Sequence, residues 1–244
     1  MHTTLARVRV GLVIGSLLLG AQTASADTIT FDFTGAQGGT MGEGFVGNTR
    51  TFTSGGITLT VTAWGYTYGA GDNALAQAAL GRWGTGLGAC NTTESCSDPQ
   101  HQVDNVGAAD WVLFLFSAPV DVSSVRIDPY GTWDRDVSYF LGSTGNPLNL
   151  TGVAYAGLGG IGFGGVQNDE ATASDQFRDV SINGGFANAL LFGGYLGGYD
   201  QDDRFKIKSL SATTSVPEPA TMLLLVAGSG MLHRLRRRVK RTRA

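Results

Sequence analysis

The stretch Asp110-Trp111-Val112-Leu113-Phe114-Leu115-Phe116 is a continuous run of mostly large apolar side chains near the middle of the chain. A short run of β-branched and aromatic residues is typical of a strand whose two faces are both covered by other parts of the protein. We therefore predict that it forms the central strand of a β-sheet. We expect this strand to end at Ser117-Ala118-Pro119, because proline has no N–H group to donate to a neighbouring strand.

Alternating apolar and polar residues predict shorter strands on both sides of the central one. Residues 57–62 alternate at every position, as a strand with one buried face should. Only residues 73–80 suggest an amphipathic helix. The other predicted strands are residues 28–33, 120–128, 136–142, 178–182, 187–192 and 204–210.

Glycine separates these strands, and the chain contains 37 glycines. Glycine adopts positive φ angles without a steric penalty, so it is common in tight turns. Many short strands joined by glycine-rich turns favour an all-β fold, an antiparallel β-sandwich with a jelly-roll-like topology. We assign this glycine-rich domain to residues 27–214, a length that suffices for one domain with its own core.

The first 26 residues have the features of a secretory signal peptide. Two arginines open the segment, and an apolar core of residues 10–20 follows. Ala24-Ser25-Ala26 fits the small-residue rule for signal peptidase, which predicts cleavage between Ala26 and Asp27. We therefore expect export by the Sec machinery; an uncleaved N-terminal anchor is the alternative.

Residues 215–244 form a second segment that we exclude from the domain. Pro217-Glu218-Pro219 is followed by an apolar run, residues 220–232, and then by seven basic residues. The apolar run has the composition of a membrane helix, and the basic residues after it favour the cytoplasmic side. It is shorter than the roughly 20 residues that span a bilayer, a difference that bilayer thinning offsets in part. A plain C-terminal anchor explains the apolar and basic parts but leaves the Pro-Glu-Pro unexplained.

The order of Pro-Glu-Pro, apolar segment and Arg-rich tail resembles the PEP-CTERM sorting signal. The resemblance implies recognition by an exosortase-type membrane protease, transient anchoring in the inner membrane and removal of the tail. It also implies delivery to the cell surface or the extracellular matrix. The order of residues 103–105, Asp110, the apolar strand, residues 134–136 and residues 202–205 is similar to that of a group of exosortase-dependent surface proteins. This resemblance implies a β-rich secreted protein without an established activity.

The formal net charge of −3 hides an uneven distribution of charged residues. Nine of the 17 basic residues lie in the two end segments, whereas 19 of the 20 acidic residues lie between them. Residues 27–214 therefore carry a net charge of about −11. Because phosphate binding depends on Lys and Arg, this charge argues against nucleic acid as a partner. It is compatible with a solvated exported surface and with binding of divalent cations.

The two cysteines, Cys90 and Cys96, lie close together in the sequence. In an oxidising compartment, such a pair favours one local disulfide that closes a short loop. The spacing differs from the C-x-x-C of redox enzymes, and no histidine lies beside the cysteines to complete a metal site. We therefore predict a structural disulfide.

Acidic side chains lie on both sides of the predicted central strand. Asp104, Asn105 and Asp110 come before or at its start, and Asp134 and Asp136 follow it. Their oxygens are the hard ligands that Ca²⁺ prefers, so these five residues are a candidate calcium site and calcium is a candidate cofactor. The pattern lacks the glycine and glutamate positions of an EF-hand loop. The alternative is that the Asp and Asn side chains hydrogen-bond to their own loops.

Two classes of function are compatible with these observations. The first is a non-enzymatic surface or matrix protein, for which we predict no catalytic residue. The second is a secreted carbohydrate-binding protein, with or without calcium, whose aromatic side chains stack on an extracellular polysaccharide. A glycoside hydrolase of this class would use Asp134 or Asp136, and a cleft with two carboxylates about 5–10 Å apart would favour it. The candidate aromatic residues are Trp64, Tyr66, Tyr68, Trp83, Tyr130, Trp133, Tyr195 and Tyr199.

Overall fold

In the computed structural model, one strand of 22 residues, Ala108–Pro129, takes part in both layers of the protein. Its first half pairs with Ile57–Thr67 on one side, and Phe186–Gly194 lies on the other side, paired from Trp111 to Asp121. Its second half pairs with Arg204–Thr214 and with Arg178–Ser181. All four pairings are antiparallel. The strand thus changes its neighbours along its length and joins two layers.

The structure describes residues 26–34, 44–45, 47–67, 74–94, 96, 101–129, 131–197 and 201–215. All of these residues except Ala26 belong to one compact unit, Asp27–Ser215. Apart from Ala26 and Ser215, the predicted signal peptide and the predicted sorting segment, with Pro217, Glu218 and Pro219, lie outside the described residues.

Strands dominate the described residues, which contain one 3-10 helix, Tyr155–Ile161. Within these ranges, no helix has the length and apolar character needed to cross a membrane. The strands are β1 (Thr28–Asp32), β2 (Gly44–Phe45), β3 (Thr49–Ser54), β4 (Ile57–Thr67), β5 (Leu75–Gln77), β6 (Ala79–Trp83), β7 (Gly86–Cys90), β8 (Val103–Asp104), β9 (Ala108–Pro129), β10 (Val137–Gly142), β11 (Gln167–Asp169), β12 (Arg178–Ser181), β13 (Phe186–Gly194) and β14 (Arg204–Thr214).

Two antiparallel layers pack against each other around a shared core. One layer contains β3, β4, the first half of β9, β13 and β10, and the other contains β1, β14, the second half of β9 and β12. Aromatic rings meet across the interface: the ring of Phe31 lies 6.1 Å from that of Phe116, and the ring of Phe33 lies 5.6 Å from that of Phe114. Burial of these apolar surfaces is the main driving force for the association of the layers.

A second core covers the outer face of the first half of β9. Because successive side chains of a strand point to opposite faces, Val112 and Phe114 enter the shared core, whereas Trp111 and Leu113 enter the second one. The segment after β10 covers this second core, with Leu158 of the 3-10 helix fully buried there. The prediction of a central strand buried on both faces is therefore confirmed.

The prediction that Ser117-Ala118-Pro119 ends the central strand is wrong. The pairing of β9 with β4 ends at Phe116, and its pairing with β14 begins at Val120. Pro119 therefore lies where the strand changes neighbours, and its missing N–H costs no hydrogen bond to either of them. The Ser117 hydroxyl oxygen accepts a hydrogen bond from the backbone N–H of Thr58 at 3.0 Å.

The suggestion of a helix at residues 73–80 is also wrong for the part that the structure describes, residues 74–80. Strand β5 pairs with β4, and β6 forms a hairpin with β7. Leu75 and Leu80 are both buried. A stretch this short shows too little periodicity to distinguish a helix from two strands, and pairing with neighbouring strands decides the outcome.

The predicted strand at residues 120–128 is the second half of β9, and the other predicted strands are present as separate strands with slightly different ends. The all-β class and the antiparallel pairing are confirmed, and the two packed layers agree with a sandwich-like architecture. The jelly-roll-like topology stays a prediction.

Replacing Phe114 with alanine should lower the free energy of unfolding by about 3–5 kcal/mol, because the ring is fully buried between the layers. Chemical denaturation of the wild-type protein and the variant measures this loss. The control is Phe186→Ala, since 52% of the Phe186 side chain is exposed. We expect the control to lose less than about 1 kcal/mol; equal losses in both variants would contradict the described core.

Candidate functional site

Loops from distant parts of the chain meet beside the start of β9 and bring six carboxylates into two groups. We call Glu94, Asp104 and Asp110 the Asp110 cluster, and Asp134, Asp136 and Asp203 the Asp203 cluster. Within each cluster, one oxygen from each carboxylate lies within 4.8 Å of the other two. Four of the five predicted calcium ligands thus lie in these clusters, but they are divided between the two.

Asn105, the fifth predicted ligand, is a partner of the Asp203 cluster. Its side-chain N–H donates to Asp203 Oδ2 at 2.6 Å, and its Oδ1 accepts from the Asp203 backbone N–H at 3.1 Å. Asp104, the preceding residue, belongs to the Asp110 cluster. Adjacent residues of one loop therefore connect the two clusters.

Asp110 occupies the most enclosed position of the Asp110 cluster, because it lies within the central strand and is fully buried. Its Oδ1 accepts a hydrogen bond from the Asn91 side chain at 3.1 Å. Asn91 approaches the sheet closely at Gly65, the residue paired with Asp110. A Cβ atom on Gly65 would lie 2.4 Å from the Asn91 Cβ, so this approach requires glycine.

The disulfide between Cys90 and Cys96 holds the loop that carries Glu94, and the prediction of this bond is confirmed. The two Cα atoms lie 5.4 Å apart. Within the closed loop, Asn91 Oδ1 accepts a hydrogen bond from the Thr93 backbone N–H at 2.9 Å. The loop therefore turns at the end of β7 and brings Glu94 to Asp104 and Asp110.

Burial raises the pKa values of all three carboxyls in the Asp110 cluster, and repulsion by neighbouring carboxylates raises those of Glu94 and Asp110 further. Burial is the main cause for Glu94, whose pKa rises to about 7, and for Asp104, whose pKa rises to about 6. The pKa of Asp110 lies well above its usual value because of burial first, and then because of the charges of Glu94 and Asp104. The positive charge of Arg204 acts in the opposite direction on the pKa values of Glu94 and Asp104.

The Asp110 cluster also contains oxygens that no donor satisfies. Among the described residues, Asp110 Oδ2 and Glu94 Oε2 are buried and have no hydrogen-bond partner. The nearby Arg204 guanidinium lies over the ring of Trp133, 4.2 Å from its centre, and its Nε also has no hydrogen-bond partner. Buried polar atoms are normally hydrogen-bonded, so this cluster is incomplete as described.

The Asp203 cluster differs, because the chain itself supplies its donors. Asp203 Oδ1 accepts from the Asp136 backbone N–H at 2.9 Å, and Oδ2 accepts from the Tyr195 backbone N–H at 3.0 Å in addition to Asn105. Asp136 Oδ1 accepts from the backbone N–H of Ala171. These bonds join the starts of β10 and β14 to the loop before β9, which is a structural role.

Glu94 and Asp203 are not among the site residues predicted from the sequence. Glu94 lies between the two cysteines, so the predicted disulfide loop was the signal that could have identified it. Asp203 lies next to Asp202 in an acidic stretch before β14. Only the pairing of distant strands shows which carboxylate of that stretch faces the interior.

The aromatic residues considered for sugar stacking are divided between the core and the surface. Trp64 and Tyr66 are buried in the second core. Trp133 is 39% exposed, and the Arg204 guanidinium covers one face of its ring. Tyr68, Tyr130 and Tyr199 lie outside the described residues.

Cavities in the described part of the chain include two that are lined by other residues. One, of about 250 Å³, is lined by Thr60, Thr62 and Trp64 among others. The other, of about 440 Å³, is lined by Phe140, Tyr155 and Phe163 among others. Neither lining includes an acidic side chain, so the two carboxylate clusters lie away from both cavities.

Comparison with known proteins does not assign this chain to a family. No protein-family model, no curated protein and no solved structure matches the chain.

In buffer with a chelator, we expect the protein to be more stable at mildly acidic than at neutral pH. The folded state keeps protons on Glu94 and Asp104 up to pH values near 7 and 6, whereas the unfolded chain loses them near pH 4. Unfolding in this interval releases protons, so the free energy of unfolding should rise as the pH falls from about 7 to about 5.

Denaturation curves at several pH values measure this rise. The Asp110→Asn variant should show a smaller rise because it removes one of the carboxyls whose pKa is raised in the folded state. Asp175→Asn, at an exposed position, should behave as the wild type does. A free energy of unfolding that decreases from pH 7 to pH 5 in chelator would contradict the raised pKa values.

Replacing Asn105 with alanine should lower the free energy of unfolding by about 1.5–3 kcal/mol, because it removes a hydrogen bond to the buried Asp203 carboxylate. Chemical denaturation at pH 7 provides the measurement. Asn149→Ala is the matched control, since Asn149 is exposed and its side chain accepts only a local bond from the Thr151 N–H. A loss no larger than that of the control would show that Asn105 does not hold Asp203 in place.

Proposed function

We propose that the chain is the precursor of an exported surface or matrix protein that an exosortase-type protease sorts and processes. The observation that carries this proposal is the order of segments in the sequence. A signal-peptide pattern comes first, a β-rich domain follows, and Pro217-Glu218-Pro219 with its apolar and basic segments comes last. The partners are signal peptidase, the Sec machinery and the exosortase-type protease, with the inner membrane as a transient anchor.

Pairing of the first and last strands supports processing at both ends. Thr28 of β1 is opposite Thr213 of β14, and the Asp27 backbone N–H donates to Thr214 Oγ1 at 3.2 Å. Cleavage between Ala26 and Asp27 and removal of the tail after Ser215 would leave this pairing intact. The mature protein would keep every described strand.

The disulfide and the charge of the domain support an extracellular location. A disulfide between Cys90 and Cys96 persists in an oxidising compartment. A net charge of about −11 between the two end segments favours solubility and repels phosphate polymers, so nucleic acid is not among the proposed partners. We propose no catalytic residue, and we retain the jelly-roll-like topology as the finer description of the sandwich.

Binding or hydrolysis of an extracellular polysaccharide is the alternative class of function. It would require aromatic faces open to a sugar, such as the partly exposed Trp133. We rank it below the surface-protein proposal because Arg204 covers part of that ring and because Trp64 and Tyr66 are buried.

Deleting Pro217–Pro219 should leave the precursor in the inner membrane with its tail attached, because the protease would no longer recognise the junction. Cell fractionation of the native host, with an antibody against the domain, measures the distribution and the apparent mass. The matched control deletes three residues at the end of the chain, 242–244, and should be released normally. Normal release and trimming of the Pro217–Pro219 deletion would overturn the sorting proposal.

A further inference from the structure

We propose that the Asp110 cluster is a binding site for a divalent cation, and that calcium is the ion that fits it. The ligands are the carboxylates of Glu94, Asp104 and Asp110, which no feature of the proposed sorting function requires. This inference goes beyond that function and does not depend on it. It also separates the five residues suggested by the sequence into one site for a cation and one structural cluster.

The distances between the carboxylates permit a shared ion. One oxygen from each of Glu94, Asp104 and Asp110 lies within 4.8 Å of the other two. Calcium binds oxygen at roughly 2.3–2.6 Å, so two ligands on opposite sides of one ion are about 5 Å apart. Three oxygens at these separations can therefore contact a single cation, and water can complete its coordination from the side of the partly exposed Glu94.

The unsatisfied oxygens are the independent observation that points to a ligand. Asp110 is fully buried, and among the described residues its Oδ2 has no hydrogen-bond donor. Glu94 Oε2 in the same cluster also has none. A buried carboxylate oxygen without a donor is costly, and a cation contacting both oxygens would remove that cost.

The Asp203 cluster supplies the contrast within the same protein. Both oxygens of Asp203 accept hydrogen bonds, from Asn105, Tyr195 and the Asp136 backbone. Its carboxylate is therefore satisfied without an ion. Of the two clusters in the described residues, only the Asp110 cluster contains buried carboxylate oxygens without a hydrogen-bond partner.

The chemistry of the ligands favours a hard cation. All three side chains offer carboxylate oxygens, and both cysteines are in the disulfide, so no thiolate is present to select zinc or copper. Magnesium requires near-ideal octahedral geometry at shorter distances, whereas calcium tolerates irregular sets of oxygens from flexible loops. Arg204 lowers the negative charge that remains after a divalent ion binds three carboxylates.

A cation at this position would connect three elements. Glu94 comes from the disulfide loop after β7, Asp104 from β8 and Asp110 from the central strand β9. A cation that binds only to the folded state increases the free energy of unfolding. Once the cation concentration exceeds the dissociation constant, this increase grows with the logarithm of the concentration. The ion would thus fasten the disulfide loop to the core.

The test is a calcium titration of the purified full chain after removal of metal by a chelator. Calorimetry gives the affinity and stoichiometry, and the thermal midpoint gives the linked stabilisation. We expect one calcium per chain and a midpoint that rises and then saturates. Magnesium at the same concentrations should produce a smaller rise.

Two variants remove ligands, and two others serve as controls. Asp110→Asn and Glu94→Gln should each weaken calcium binding by roughly tenfold or more, since loss of an outer-sphere partner alone weakens metal sites by about this factor. In chelator, Asp110→Asn should unfold at the same temperature as the wild type or higher, because it relieves repulsion. Asp134→Asn, in the Asp203 cluster, and Asp175→Asn, at an exposed position, should bind calcium as the wild type does.

Three results would overturn the proposal. The first is an unchanged midpoint and no binding heat at millimolar calcium, which would leave Arg204 and protons as the counter-charges of the cluster. The second is wild-type affinity in both Asp110→Asn and Glu94→Gln. The third is loss of binding in Asp134→Asn alone, which would place the ion in the Asp203 cluster. The sorting proposal would stand in each case, because the release of the Pro217–Pro219 deletion is measured separately.

Discussion

Burial of both faces of the first half of β9 is the constraint on which the rest of the structure depends. Val112 and Phe114 fill the core between the layers, while Trp111 and Leu113 fill the core under the 3-10 helix. Because packed side chains cover both of its faces, this part of the strand is held firmly in place. The start of β9 is therefore a rigid base, and the loops that reach it are placed with the accuracy of the sheet.

The positions of the acidic clusters depend on this rigid part of β9. Asp110 belongs to β9 itself, so its carboxylate is buried because the strand is buried and not because the group prefers an apolar environment. Gly65 gives Asn91 room beside the sheet, and a Cβ on Gly194 would come within 2.9 Å of the Asn105 Cβ. Glycine at these two positions therefore has a packing function: it lets polar loops approach the ends of β4 and β13 closely.

Structural features that depend on a short stretch of sequence were predicted correctly. Features that depend on pairing between strands distant in the sequence were not. The run from Asp110 to Phe116 and the spacing of Cys90 and Cys96 predicted the central strand and the disulfide correctly. Pro119 was misread because its effect depends on which neighbours the strand has at that point. Glu94 and Asp203 were missed because their positions follow from strand pairing and loop closure, which no single stretch of sequence reveals. The division of Asp110 and Asp134 between two clusters also follows from strand pairing, so no single stretch of sequence could show it.

The claim that one of two similar acidic clusters binds a cation is tested most directly by diffraction from crystals grown with calcium. Anomalous difference density at a long wavelength locates calcium independently of the fitted chain. The account predicts one peak within about 2.3–2.6 Å of oxygens from Glu94, Asp104 and Asp110. An empty Asp110 cluster in such crystals, or a peak between Asp134, Asp136 and Asp203 instead, would contradict it.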